Sequence, residues 1–166
     1  DIKILGQNAL FLDEDERARL RNKSIGFVFQ QFHLLPKTTI LENILLPTRY
    51  SYHEKVNSPD SLKLRAIEFA QFVGLSGKLD KFPNQLSGGQ QQRAAICRAL
   101  MNDPEILLAD EPTGNLDSST AEQIMNLFHD LNSQYGKTIV IITHDDEIAK
   151  KCHRILRIKD GKLVKE

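Results

Sequence analysis

Residues Ile106-Leu107-Leu108-Ala109-Asp110-Glu111 form an apolar run that ends in two adjacent acids. A short, continuous apolar run of this kind predicts a buried strand of a parallel sheet. Because successive side chains of a strand point to opposite faces, we expect Asp110 and Glu111 to do different work at its carboxyl end. The Asp110 carboxylate suits Mg²⁺, a hard cation that prefers oxygen ligands, and Glu111 suits the activation of a water molecule. The plainer alternative is that both acids only keep the strand end soluble.

Strands and helices alternate on both sides of this run. Toward the C-terminus, the sequence predicts a helix over residues 119–131, a buried strand over 138–143 and a short helix over 146–152. The strand–helix–strand order predicts parallel strands whose carboxyl ends form the functional edge of an α/β sheet. We expect residues 106–159, with residues 25–29 as an additional strand, to pack as one parallel sheet. The other predicted elements are strands at 2–5 and 25–29, helices at 13–23, 41–46, 62–73 and 87–101, and a hairpin turning at Asp160-Gly161. Thr39 and Glu42 fit a capping box at the start of the helix over residues 41–46, and residues 48–60 are predicted to form a surface connection.

A glycine pair stands at the start of the helix predicted over residues 87–101. Ser87 and Gln90 fit a capping box, in which each side chain bonds a free backbone amide of the other residue. Gly88 and Gly89 at the first helical positions cost about 1 kcal/mol each relative to alanine. Bare backbone amides at a helix start attract phosphate, so these residues are a candidate anion site. The alternative is a purely structural cap, although a cap alone does not require two glycines.

Polar side chains also follow the other two predicted strands. Gln30 comes directly after the run at residues 25–29, and His144 follows the strand predicted over residues 138–143. The carboxyl ends of parallel strands share one edge, so we expect Gln30, Asp110 and His144 to gather there. Taken alone, a histidine at a strand end is more often structural than functional.

The composition excludes several classes of protein. The 166 residues suit one domain, and the 22 Lys and Arg residues balance 22 Asp and Glu residues, which gives no support to a nucleic-acid partner. The apolar runs are too short to span a membrane, and the first residues do not resemble a signal peptide. Cys97 and Cys152 lack metal or redox spacing, so we expect free thiols in a reducing compartment.

In combination and in this order, the motifs resemble those of the ATP-binding subunits of ABC transporters. In that family's terms, Gln30 matches the Q-loop, residues 87–90 the signature, 106–111 the Walker B strand, 114–117 the D-loop and His144 the switch histidine. The resemblance covers essentially the whole chain. It implies a P-loop NTPase fold with an inserted helical subdomain, ATP hydrolysis with Mg²⁺, and a head-to-tail dimer with a second ATPase subunit.

The resemblance also implies a role for each matching residue. Glu111, His144 and Gln30 are implied in catalysis, with Glu111 polarising the water that attacks the γ-phosphate and His144 contacting that phosphate. Asp110 and Gln30 are implied as Mg²⁺ ligands, and Asp117 as the link between the two sites of the dimer. The residues implied to contact ATP held by the partner subunit are Ser87, Gly88, Gly89 and Gln90.

Two segments resemble one subgroup of the family in particular. Residues 27–32 read Phe-Val-Phe-Gln-Gln-Phe and residues 110–117 read Asp-Glu-Pro-Thr-Gly-Asn-Leu-Asp, which is similar to the lipoprotein-release and macrolide-export group. The related cell-division ATPase has similar sequences in these two segments, so a regulatory role in place of transport is the alternative function. A transporter subunit of this group is expected in the cytoplasm, on the inner face of the cell membrane. The region after Gln30 would dock the membrane-spanning transporter subunits.

One motif of the family is absent from the 166 residues. G-x-x-x-x-G-K-[ST] wraps phosphates in backbone amides, but Gly136-Lys137-Thr138 imitates only its end, because Leu131 stands where the first glycine belongs. We therefore expect one partial ABC ATPase domain over residues 1–166: a core remnant with the Q-loop strand at 1–30, a helical subdomain at 31–100 and a catalytic α/β core at 101–166. Such a fragment is expected to be inactive alone and to expose apolar surface and an open strand edge.

Three alternatives compete with a transporter ATPase. A DNA-repair or chromosome-organising ABC ATPase would carry a long coiled coil between Gln30 and Leu86, and this interval is too short. A serine hydrolase requires a glycine two residues before the nucleophile, which Ser87 lacks. A non-catalytic fragment that only folds and binds partners remains open for the 166 residues.

Overall fold

The computed structural model of the chain describes residues 2–50 and 58–164. The elements are, in chain order, β1 (Lys3–Ile4), β2 (Gln7–Asn8), α1 (Glu14–Ser24), β3 (Ile25–Phe29), α2 (Ile40–Leu45), a 3-10 helix (Leu46–Tyr50), α3 (Pro59–Phe72), a 3-10 helix (Pro83–Gln85), α4 (Gly88–Leu100), β4 (Ile106–Asp110), α5 (Ser118–Tyr135), β5 (Thr138–Ile142), α6 (Asp146–Lys150), β6 (Arg157–Lys159) and β7 (Lys162–Val164).

A three-stranded parallel sheet organises these elements, in the order β3-β4-β5. The register aligns Phe29 with Asp110 and Asp110 with Ile142, so the three strands end together. This confirms the parallel sheet predicted from the sequence. One part of that prediction is wrong, because the sheet was expected to extend to residue 159. Instead, β6 pairs with β7 in a separate antiparallel hairpin, whose turn residues Asp160 and Gly161 both have positive φ, as tight hairpin turns require.

The helices α4 and α5 cover one face of the sheet. On that face Val28, Leu107 and Ala109 are fully buried. A Cβ on Gly26 of β3 would lie 2.5 Å from the carbonyl oxygen of Ala99, so only glycine lets α4 approach this closely. The same hydrophobic core continues into α2, α3, α4 and α5 through the buried side chains of Ile40, Ile44, Ala66, Ala70, Ile96, Leu100, Ile124 and Leu131.

The opposite face of the sheet is largely exposed. Phe27 and Phe29 of β3 are partly solvent-exposed, and on β5 Val140 and Ile142 are 45% and 59% exposed. The prediction that β5 is a buried strand is therefore wrong. Its apolar residues alternate between a face packed on α5 and an open face, and β5 is also an edge strand. For residues 2–50 and 58–164, the expected exposure of apolar sheet surface and of an open strand edge is confirmed.

The helical region between β3 and α4 follows its capping signals. Thr39 and Glu42 form the predicted capping box of α2, with Glu42 Oε2 accepting from the Thr39 amide at 2.7 Å. The α-helix ends before Pro47, as predicted, and the chain continues as the 3-10 helix Leu46–Tyr50. Further on, α3 begins earlier than predicted because Ser58 caps it and Pro59 occupies its first turn. The predicted surface connection at residues 48–60 lies partly outside the described residues.

None of the helices in residues 2–50 and 58–164 combines the length and the hydropathy that a membrane span needs. The longest, α5, is amphipathic: Ile124, Leu127, Phe128 and Leu131 face the core, while its other side carries exposed polar residues.

Candidate functional site

The carboxyl edge of the sheet brings together the polar residues that follow its three strands. Asp110 is the last residue of β4 and lies in register between Phe29 and Ile142. The residues just past this line are Gln30 on one side, Glu111 in the centre and Thr143 and His144 on the other side. The predicted gathering of Gln30, Asp110 and His144 at one edge is therefore what the structure contains.

Glu111 and His144 are in direct contact at this edge. Oε1 of Glu111 accepts a hydrogen bond from the His144 backbone amide at 2.9 Å and lies 2.6 Å from its Nδ1. Thr143 donates its hydroxyl to Oε2 at 3.2 Å. The Glu111 side chain is only 20% exposed, whereas that of His144 is 86% exposed. The carboxylate is thus oriented by three donors from one loop, an arrangement that the sequence did not predict.

The backbone also fixes Glu111. Its φ of 46° lies in the left-handed region, which is unfavourable for a residue with a side chain. Its amide donates to the carbonyl of Ile142 at 2.9 Å, one residue beyond the last strand pair. This geometry turns the chain out of β4 and directs the Glu111 carboxylate toward the loop after β5.

The contact changes the acidity of the histidine. The pKa of His144 is raised, first by its hydrogen bond to Glu111, then by the charge of that carboxylate and, to a smaller extent, by Asp145. A protonated imidazole beside the carboxylate is therefore favoured at a higher pH than in a free histidine.

Gln30 lies against the turn that follows Glu111. Asn115 donates its side-chain amide to the Gln30 carbonyl at 3.0 Å. A Cβ on Gly114 would lie 2.6 Å from Nε2 of Gln30, so a larger residue at position 114 would displace the Gln30 side chain. The predicted Q-loop residue thus packs directly on the segment predicted as the D-loop.

Arg98 of α4 holds the turn after Gln30, a contact that sequence analysis missed. Its guanidinium donates to the carbonyls of Phe32 and His33 at 2.7 and 2.5 Å. Both of these residues have positive φ, at 58° and 48°. The two bonds compensate a strained stretch of backbone, and burial lowers the pKa of Arg98. No sequence pattern identified this arginine, because its partners are backbone atoms distant in the chain.

Asp110 and Gln30 offer a carboxylate and an amide, which are oxygen donors that suit Mg²⁺. Asp110 is exposed at the strand end, next to the segment that contains Gln30. Across residues 2–50 and 58–164, no group of three His, Cys, Asp or Glu side chains is arranged to hold a metal ion. The donor set fits a cation that keeps several waters and phosphate oxygens as further ligands.

The start of α4 has the predicted capping box. The Ser87 hydroxyl accepts from the Gln90 amide at 3.4 Å, and Oε1 of Gln90 accepts from the Ser87 amide at 3.1 Å. The glycines also have a packing role, because a Cβ on Gly89 would overlap Cγ2 of Thr120 at the start of α5. The argument that a structural role does not require the glycine pair is therefore wrong for Gly89.

Asp117 caps the helix α5. Its carboxylate accepts from the Thr120 hydroxyl at 2.6 Å, the Ser119 hydroxyl at 2.7 Å and the Thr120 amide at 3.0 Å. These bonds, led by that of the Thr120 hydroxyl, hold the pKa of Asp117 well below its usual range. Thr120 thereby joins Asp117 to Gly89, and sequence analysis did not single it out.

Comparison with known proteins agrees with this geometry. A family model described as ABC transporter matches residues 1–114. The lipoprotein-releasing system ATP-binding protein LolD 2 of Rhodospirillum rubrum is 48% identical over 99% of this chain and 70% of its own length. The macrolide export ATP-binding/permease protein MacB of Rhodopirellula baltica is 47% identical over 100% of this chain, which spans only 24% of that protein.

Solved structures share the fold. The dimeric post-hydrolysis state of the ATP-binding cassette MJ0796, bound to ADP and Pi, matches with a TM-score of 0.83 and 45% identity, over 98% of this chain and 70% of that one. A second dimeric structure of this cassette, which is from Methanocaldococcus jannaschii, matches with a TM-score of 0.79 and 48% identity, over 93% of this chain and 66% of that one. The α/β, P-loop NTPase fold expected from the resemblance is thus confirmed, and the chain belongs to the ABC transporter family, among ATP-binding domains of the macrolide-export and lipoprotein-release type.

Proposed function

We propose that the chain is the ATP-binding and ATP-hydrolysing part of a transporter of the macrolide-export or lipoprotein-release type. The observation that carries this proposal is the Glu111–His144 contact at the carboxyl edge of the parallel sheet. An oriented, half-buried carboxylate beside an exposed imidazole is an arrangement suited to hydrolysis of a bound phosphate ester or anhydride. The names of the relatives assign ATP binding and export or lipoprotein release to those proteins.

In the proposed reaction, Glu111 polarises the water that attacks the γ-phosphate. Its carboxylate is already oriented by Thr143 and by the His144 amide, so little reorganisation is required before the reaction. His144 presents its exposed ring toward solvent, where a protonated imidazole can donate to a phosphate oxygen. The raised pKa of His144 supports this donor role.

Asp110 and Gln30 would hold Mg²⁺, which supplies charge neutralisation for the phosphate oxygens when it is bound. Gln30 is well placed for a role that depends on the turn after β3, because its side chain packs on Gly114. A movement of the turn after β3 would therefore displace Gln30, and with it the segment after Glu111, directly.

A second ATPase subunit, in a head-to-tail dimer, would complete the site. We assign Ser87, Gly88, Gly89 and Gln90 to ATP held by that partner, since the start of α4 offers backbone amides to an anion. Asp117 would communicate between the two sites, which its contact with Gly89 through Thr120 supports. Both MJ0796 structures are dimers, as this assignment requires of the present chain.

The division into a core segment with the Q-loop strand (1–30), a helical subdomain (31–100) and a catalytic core (101–166) is part of the same proposal. The helical part would dock membrane-spanning transporter subunits through the region after Gln30, placing the protein on the inner face of the cell membrane. The structured turn that Arg98 holds supports such a contact, because a rigid loop binds at a lower entropic cost.

The 166 residues alone are expected to bind ATP weakly and to be inactive, because they contain no G-x-x-x-x-G-K-[ST] motif. Isothermal titration with Mg-ATP measures this. Micromolar affinity that survives a Ser87→Ala substitution would contradict the expectation.

The substitution Glu111→Gln in the full protein tests the catalytic assignment. The amide keeps the shape of the side chain but does not act as a base, so turnover should fall by about a hundredfold or more while ATP binding is retained. A nucleotide-locked dimer should accumulate, which size-exclusion chromatography detects. Glu105→Gln is the matched control, since Glu105 is an exposed acid immediately before the other end of β4. Unchanged turnover in Glu111→Gln, or loss of ATP binding, would remove Glu111 from this role.

A further inference from the structure

A buried glutamine connects α4 to the loop after Glu111. Gln92 is fully buried, and its Nε2 donates to the carbonyl of Pro112 at 2.6 Å. Among the side chains of residues 2–50 and 58–164, its Oε1 is the buried polar atom that lacks a hydrogen-bond partner. The bond to the Pro112 carbonyl requires this orientation of the amide, because the opposite one would place two acceptors together.

This arrangement is poorly suited to stability alone. A buried acceptor without a partner is destabilising, and an apolar side chain of similar shape would avoid that cost. The glutamine is therefore better explained by the one bond that it makes. That bond reaches the residue immediately after Glu111, twenty positions along the chain.

Glu111 is held from three sides. Its amide is bonded to Ile142, and its carboxylate to Thr143 and His144. On the third side, the next residue is bonded to Gln92. Because Glu111 has a positive φ, its conformation persists only where the surroundings determine it. The bond from Gln92 is one of these determinants.

We propose that Gln92 is a positioning residue for Glu111, acting through the carbonyl of Pro112. Gln92 lies two residues after Gln90 on the same helix, so a displacement of the helix start is transmitted to Glu111 through a single side chain. The geometric part of this inference stands on the contacts alone. Its effect on turnover rests on the proposed function.

The test replaces Gln92 by methionine, which is similar in shape and has no amide. The matched control is Gln91→Met, since Gln91 lies on the same helix and its amide bonds the Leu86 carbonyl at 3.1 Å, away from Glu111. NMR follows the His144 backbone amide shift and the pKa of its ring, without nucleotide. Glu111→Gln supplies the reference for loss of the carboxylate charge beside His144.

In Gln92→Met, the His144 amide signal and ring pKa should both move part of the way toward the values of Glu111→Gln. In Gln91→Met they should stay at the values of the unsubstituted protein. The melting temperature is measured for each variant, since a structural role alone would lower it without moving the His144 signals. Unchanged His144 signals in a folded Gln92→Met overturn the inference. If that variant does not fold, Gln92→Asn, whose amide is one methylene too short to reach Pro112, is judged by the same criterion.

Turnover gives a separate result. In the full protein, Gln92→Met should lower ATP turnover by about tenfold or more, with ATP affinity unchanged, because a small displacement of a reacting group is costly. If Glu111→Gln retains turnover, the proposed function fails, and the NMR experiment still decides the position of Glu111. If Glu111→Gln loses turnover but Gln92→Met does not, the positioning role of Gln92 is refuted and the proposed function stands.

Discussion

Replacing Gly89 by alanine should disrupt the contact between the start of α4 and the start of α5. The new methyl would overlap Cγ2 of Thr120, and overpacking of this kind costs about 1–3 kcal/mol. Displacing Thr120 also weakens the cap that Asp117 provides, which adds about 1 kcal/mol. The better helix propensity of alanine returns at most about 1 kcal/mol. The net loss is about 1–3 kcal/mol, or a melting temperature lower by roughly 2–12 °C for a chain of this size.

Urea and thermal unfolding measure this effect, with Gly88→Ala as the control. A Cβ on Gly88 would lie 3.4 Å from Leu116, an ordinary contact, so that variant should be as stable as the unsubstituted protein or more so. Thr120→Ser removes the overlapping methyl and keeps the hydroxyl for Asp117, so the double variant should recover most of the loss. The reasoning is refuted if Gly89→Ala is as stable as Gly88→Ala, or if Thr120→Ser restores nothing.

Two further outcomes are expected, besides those for weak ATP binding and for Glu111→Gln. Because the folded pKa of His144 is raised, its contact with Glu111 stabilises fully below the ordinary histidine pKa and is lost as pH rises through the folded value. The stability difference between the protein and His144→Gln, measured by urea unfolding, should therefore shrink from pH 5 to pH 9, and a constant difference would contradict the contact. Thiol labelling should reach Cys152 before Cys97, because full burial raises the pKa of Cys97 and hides its sulfur, whereas Cys152 is half-buried. Equal labelling rates in the folded protein would show that the core around Cys97 opens readily.

The order of strands and helices was predictable because each buried strand is a compact apolar run and each helix start carries a capping signal. Ile106–Asp110 and the capping boxes at Thr39 and Ser87 are the clearest examples. The exposure of β5 was not predictable, since Thr138–Ile142 is as apolar as a strand covered on both faces. Composition indicates what a strand can bury, but neighbours along the sheet decide what it does bury.

The site was predictable only as a set of candidate residues. The positions of Gln30, Asp110 and His144 at strand ends place them on one edge, because parallel strands share that edge. The contacts that orient them were not predictable. Arg98 and Gln92 donate to backbone carbonyls. Because every residue type has a backbone carbonyl, the sequence contains no signal for these contacts.

The pairing of β3 with β4 has a consequence for how the chain folds. Ile25 pairs with Ile106, so the central sheet closes a loop of roughly half the chain. Closing so long a loop is entropically costly, and parallel sheets of this kind form slowly. The helix α4 shortens the search, because it lies just before β4 in the chain and packs on β3 at Gly26. The rate of sheet formation should therefore depend on the docking of α4, so that a larger residue at position 26 slows refolding more than it speeds unfolding.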